Sequence, residues 1–129
     1  MSRILIINNT VELLRIHAAD IVYVEAEGNY SKLYIIGGEQ QTMLIQLGQL
    51  EQMMREQLAD EAAMFVRVGR GYIVNRNYIY NINLSLQFLV MRDAQGHCYP
   101  KLRMSHDALK KLKVLVASDC GKEDQKWEI

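Results

Sequence analysis

Apolar and polar residues alternate along most of this chain in short runs, the period-2 signature of half-buried strands, and the 3.6-residue period of helices surfaces only twice. The pattern predicts strands at Val11–Ile16, Ile21–Ala26, Tyr30–Ile36, Thr42–Ile45, Phe65–Val68, Tyr72–Val74, Tyr78–Ile82, Leu84–Met91 and His97–Leu102. Glu27-Gly28-Asn29, Gly37-Gly38, Asn75-Arg76-Asn77 and Asp93-Ala94-Gln95-Gly96 punctuate them as turns. Such close spacing leaves no room for crossover helices and points to antiparallel meanders. Within the second run, Val22, Val24 and Ala26 are predicted on one face, with Tyr23, Glu25 and Glu27 on the other.

Two segments break the pattern. Leu47, Leu50, Met54 and Leu58 fall on one helical stripe, predicting an amphipathic helix from about Gly48 to Ala59. A second helix is predicted from about His106 to Ala117, with Ser105 as its cap and Asp107 in its first turn. Its apolar stripe is Leu109, Leu112 and Val116, and Lys110, Lys111 and Lys113 face away. Ile4–Ile7 reads only as an apolar run. The expected fold is mainly β: an elongated arrangement of small antiparallel sheets with two short helices.

Composition narrows the function. With 129 residues, 50% of them apolar and 23% charged, one globular domain is expected, spanning 1–118, followed by a polar, flexible tail over 119–129 in which Trp127 is an incidental exposed aromatic. No apolar run approaches the roughly 20 residues of a membrane span, and residues 1–9 lack the apolar core of a signal peptide, so a cytoplasmic protein is expected. Cys98 and Cys120 are too few and too far apart for a disulfide framework or a metal knuckle. The net charge is zero but unevenly spread: −5 over residues 1–64, +7 over 65–118 and −2 over the tail. A cationic half with a neutral total fits an anionic partner met by one part of the molecule.

An enzyme lacks its parts. His17, His97 and His106 are scattered, no nucleophile elbow or zinc spacing occurs, and Gly69-Arg70-Gly71 is too short for a phosphate loop and opens no helix. Glu25 and Glu27 read as exposed surface carboxylates rather than an acid and base pair. No catalytic residue, metal site or cofactor is expected. What remains is Phe65-Val66-Arg67-Val68-Gly69-Arg70-Gly71-Tyr72-Ile73-Val74-Asn75, where two glycines allow a tight turn with little bulk beside Arg70. An arginine held on such a turn can fork onto guanine O6 and N7. Asn75 is assigned to structure, since an Asn in a turn bonds its own backbone.

Three blocks in order carry a family resemblance. Ile21-Val22-Tyr23-Val24-Glu25-Ala26-Glu27-Gly28-Asn29-Tyr30 is similar to the opening I-x-Y-I-E-A-x-x-N-Y of LytTR-type DNA-binding domains. Phe65-Val66-Arg67-Val68, Arg70 and Tyr72-Ile73-Val74-Asn75 resemble the core F-x-R-x-H-R-S-Y-I-V-N, and Tyr99-Pro100 with Arg103 resembles the closing L-P-V-S-R. The match runs from about Val11 to Val116. It departs where the family's His and Ser beside the central arginine are Gly69 and Gly71, and where the Ser of the last block is Leu102.

The resemblance implies loops that enter successive DNA grooves, at Asn29–Lys32, Gly69–Gly71 and Lys101–Met104, usually on paired repeats in bacterial promoters. Ser31, Arg70 and Arg103 then stand as groove-inserted side chains, with Asn29, Lys32, Arg67, Arg76 and Lys101 as phosphate or rim contacts. The expected protein is a stand-alone, sequence-specific regulator of transcription that binds double-stranded DNA, without the receiver domain many members carry, acting as a homodimer on DNA or with a partner regulator. The alternative is a degenerate protein-interaction module that modulates a partner regulator.

Overall fold

The computed structural model describes residues 2–119; the expected tail, Trp127 included, lies outside the described residues except for Asp119. The described elements run β1 (Ile4–Asn8), β2 (Leu13–His17), β3 (Ile21–Glu27), β4 (Tyr30–Ile35), β5 (Gln40–Met43), α1 (Leu47–Leu58), β6 (Phe65–Val68), β7 (Tyr72–Asn75), β8 (Ile79–Asn83), β9 (Phe88–Met91), β10 (Leu102–Arg103) and α2 (His106–Ala117). A five-stranded antiparallel sheet in the order β5-β4-β3-β7-β6 forms the middle layer, joined by a β1-β2 hairpin and a three-stranded sheet in the order β10-β9-β8. Mainly β, with small antiparallel sheets and two helices, is the architecture expected.

The middle sheet is covered on both faces. On one side, Ile21, Val24, Leu33 and Ile73 pack against Leu5, Ile7 and Ile16 of the hairpin and Leu47, Leu50, Met54 and Leu58 of α1. On the other, Val22, Tyr23, Tyr34 and Val74 pack against Leu89, Met91 and Leu102 and against Leu109 and Leu112 of α2. Burying each such leucine stabilises the fold by about 1.5–3 kcal/mol. β3 is therefore a central strand buried on both faces rather than a half-buried one. Val22 does not share a face with Val24, because a register irregularity against β4 between Ile21 and Tyr23 turns it toward the α2 side.

Other boundaries differ for identifiable reasons. β1 went unseen because both of its faces are apolar: Leu5 and Ile7 are fully buried, while Ile4 and Ile6 remain 37% and 40% exposed. Its outer edge is closed by α1, where the Gln57 amide accepts from Ile6 N and donates to Ile6 O, both at 2.8 Å, as a neighbouring strand would. Leu84–Met91 yields a strand only from Phe88. Asn83 Oδ1 accepts from Leu86 N at 2.8 Å, and Gln87 takes a φ of 54°, so the first half turns. His97–Leu102 forms no continuous strand; a single bridge links Arg92 and Cys98 before β10. α2 has the predicted bounds, and Ser105 Oγ accepts from Ala108 N at 3.2 Å.

One end of the middle sheet is tied down by buried polar groups. Asp93, 5% exposed, accepts from Gly37 N at 2.6 Å, Gln95 N and His97 N at 2.9 Å, and the Tyr99 hydroxyl at 3.0 Å. Burial opposes the carboxylate's charge, yet the N–H groups of Gly37 and His97, the Tyr99 hydroxyl and the Gln95 N–H together hold it below its ordinary range. Burial, helped by this carboxylate, pushes the Tyr99 phenol up to about 12. Tyr99 stands edge-on to the stacked pair Tyr23 and Tyr34, whose rings are 4.1 Å apart.

Candidate nucleic-acid interface

At the opposite end of the sheet three connections come together. β6 and β7 are joined by Gly69-Arg70-Gly71, with Gly69 in the left-handed region at φ 59°, where a side chain would be strained. The last residues of β3 lie alongside, since Ala26 N donates to Gly71 O at 2.8 Å, so the β3-β4 turn at Gly28 and Asn29 shares this end. A cleft of about 250 Å³ separates the β6-β7 turn from the β10-α2 link. Arg70, Gly71 and Tyr72 form one wall, and Arg103, Met104, Ser105 and Ala108 the other.

The electrostatics of this cleft are one-sided. Two guanidinium-bearing residues and the N-terminal end of α2, where unpaired N–H groups carry partial positive charge, border it, and none of its lining residues is acidic. Nothing lies within 4 Å of where a Cβ would stand at Gly69 or Gly71, so the turn opens directly to solvent. A smaller groove of about 140 Å³ between β6 and α2 continues from it through Gly69 and Ala108 and is edged by Lys111.

The predicted site residues separate into groups. Arg70 is exposed, and its guanidinium has no hydrogen-bond or ion-pair partner among the described residues. Arg103 is exposed, with Nη1 donating to Leu86 O at 2.8 Å. Lys101 is exposed with its ammonium 4.5 Å from the centre of the Phe88 ring, and Asn29 is exposed with Oδ1 accepting from Gln46 Nε2 at 3.4 Å. Lys32 projects from β4 opposite Glu25, 3.8 Å from the Glu27 carboxylate, half-buried over the Tyr34 ring.

Three of the expected contact residues are engaged within the chain. Ser31 is fully buried, and its hydroxyl donates to Ile45 O at 2.8 Å; β4 turns it into the α1-side core, so it presents nothing to a groove. Arg76 follows β7 at the end of the sheet away from Arg70, where it binds the Asp119 carboxylate and donates to Ala63 O at 3.4 Å. Arg67 turns inward, donating to Gly69 O and Arg70 O at 3.2 Å and to Glu51 Oε1 at 2.9 Å.

One further reading changes. Glu25 is not an exposed carboxylate: it is half-buried, accepting from the Tyr34 hydroxyl at 3.1 Å and the Tyr72 hydroxyl at 3.2 Å. Burial first, then this carboxylate, raises both phenols above their ordinary range, so they stay protonated donors. Lys111, exposed like Lys110 and Lys113 as expected, borders the groove beside Gly69. Asn75 is structural as expected, fully buried with Oδ1 accepting from Asn77 N and Nδ2 donating to Ile21 O, both at 3.0 Å.

Comparison with known proteins supplies the family. The LytTr DNA-binding domain family matches residues 12–116. The chain belongs to the LytTR family. A solved LytTr DNA-binding domain, from a Bacillus cereus protein described as a methyl-accepting/DNA response regulator, superposes with a TM-score of 0.59 at 17% identity, covering 90% of this chain and 98% of that one. At that identity the likeness speaks for the LytTR fold. No curated protein matches the chain. As a LytTR domain the chain is a DNA-binding regulator whose partner is double-stranded DNA, and the family is one of DNA-binding domains rather than enzymes. Among the described residues no helix is long and apolar enough to cross a membrane, and no group of His, Cys, Asp or Glu is arranged to hold a metal.

Proposed function

We propose that this LytTR domain reads DNA sequence by placing Arg70 and Arg103 against base edges in the major groove, with Lys101, Lys32, Asn29 and Lys111 on flanking phosphates or the rim of the contact. The observation that carries this reading is that Arg70 and Arg103 face each other across one cleft whose lining holds no acidic residue. Neither is in an ion pair among the described residues, so desolvating them against DNA breaks no internal salt bridge. Gly69 and Gly71 add no side chain of their own, which leaves the two arginines as the source of base discrimination and lets the backbone approach the duplex closely.

Selection of bound fragments from a random duplex pool, followed by mobility-shift titration, tests the assignment. Arg70→Ala and Arg103→Ala should each cost about 1–3 kcal/mol on the selected fragment and relax preference at one site position, whereas Lys101→Ala should weaken all sequences alike. Parent-like binding by both arginine variants would refute the readers. A domain neutralising about four phosphates should show a log–log salt slope near −3.6, and its absence would favour docking of a partner protein instead. Paired repeats, one bound by each of two copies, are the target form implied by the family resemblance, and the selected fragments would display them.

A further inference from the structure

The geometry points to Arg67 as a positioning residue: together with Glu51 of α1 it staples the Gly69-Arg70-Gly71 turn to the helix and so sets where the Arg70 side chain emerges. This rests on the reading of Arg70 as a base reader and deepens it by naming what aims that reader.

The turn is short and open at Gly69; β3 holds its far end, where Ala26 N donates to Gly71 O at 2.8 Å, and Gly69 and Arg70 need contacts of their own. They come from below. Arg67 lies opposite Ile73 on the α1 side of the sheet. From there its guanidinium donates Nε to Gly69 O and Nη2 to Arg70 O, both at 3.2 Å, gripping two successive carbonyls of the turn. Nη1 reaches Glu51 Oε1 at 2.9 Å, and the other oxygen of that carboxylate accepts from Arg55 Nη2 at 2.8 Å. Glu51 is itself held on a helix whose neighbouring Leu50 and Met54 are locked in the core. Only a planar fork with donors in several directions can grip two carbonyls and a carboxylate at once, and an ammonium cannot span all three. With its side chain 30% exposed and its donors directed inward, Arg67 has a use that does not involve phosphate.

A phosphate contact and a clamp predict opposite outcomes at Glu51. Removing a carboxylate near a DNA-binding face should strengthen binding to every duplex if charge alone matters, whereas releasing the clamp should lower discrimination. The test uses the full chain carrying Glu51→Gln, Arg67→Lys or Arg70→Ala, the fragment selected by the parent chain and a scrambled duplex of equal length, together with backbone N–H order parameters for Gly69, Arg70 and Gly71 in the free protein. Glu51→Gln and Arg67→Lys should lower the ratio of selected to scrambled affinity by about fivefold or more, toward that of Arg70→Ala. The salt slope should stay within about 0.3 of the parent's, against the 0.9 that a lost phosphate contact removes. Order parameters in the turn should fall from the rigid range near 0.85 toward about 0.6.

Turn order parameters unchanged in both variants would overturn the clamp whatever happens on DNA. A mobile turn with an unchanged affinity ratio would overturn its role in sequence choice. If Arg70→Ala alone leaves the ratio intact, the base-reader assignment fails, and with it the purpose given to the clamp, even where the turn loosens.

Discussion

The two ends of the middle sheet handle their polar groups in opposite ways. At the end where Asp93, Tyr99 and Arg76 lie, the polar groups meet partners inside the chain: four donors on Asp93, a carboxylate and a carbonyl on Arg76. At the other end the Arg70 guanidinium stands without a partner among the described residues, and that of Arg103 has one carbonyl. Exposed cations unmatched in the free protein cost little, because water solvates them, and their interaction energy stays available for a phosphate or a base. A buried carboxylate without its donors would be expensive. One end can remain open because the other, together with two cores, supplies the stability.

The sharpest way to break this contrast is at Asp93. Asp93→Ala should lower unfolding free energy by about 3 kcal/mol in urea denaturation at neutral pH, since several buried donors lose a charged acceptor at once. A loss under about 1 kcal/mol would show the hub to be ornamental. Because the native carboxylate is held below its ordinary range, its contribution is present above the unfolded-state value and is lost as pH falls through the native one. Asp93→Asn should accordingly flatten the acid limb of the stability profile.

Arg70→Ala should do the reverse, keeping stability within about 0.5 kcal/mol while losing the 1–3 kcal/mol of selected-fragment binding. A large drop in melting temperature would mean the turn arginine is structural. Gly69→Ala comes next. It should cost about 1 kcal/mol of stability from left-handed strain, whereas Gly71→Ser, whose backbone is ordinary and whose surroundings are open, should be near neutral in the same thermal measurement. Last comes Arg76→Ala: loss of its surface pair with Asp119 should leave the melting temperature nearly unchanged, with sequence preference and salt slope unchanged. A changed slope would place Arg76 on DNA after all.

Much of the fold was legible because local chemistry announced it. The stripe Leu47, Leu50, Met54, Leu58 and the Ser105 cap defined both helices to within a residue or so, and the glycine-flanked Arg70 marked its turn. Legibility failed where a side chain's direction depended on something distant in sequence. Ser31 and Lys32 are adjacent and equally polar on paper, yet β4 buries one against Ile45 and leaves the other at the surface. Arg67 and Arg70 look alike as cations three residues apart, and only Glu51, sixteen positions upstream of Arg67, distinguishes them.

By itself, then, the amino-acid order determined the strand-rich class, the two helices, the concentration of positive charge after residue 64 and the family blocks, because each is set by near neighbours through period, capping and turn chemistry. Only the tertiary structure decided which cations face outward. That choice depends on which face or end of a strand each residue occupies and on what packs there: Glu51 of α1 engages Arg67, the far end of β7 puts Arg76 beside Asp119, and the link into α2 brings Arg103 across the cleft from Arg70.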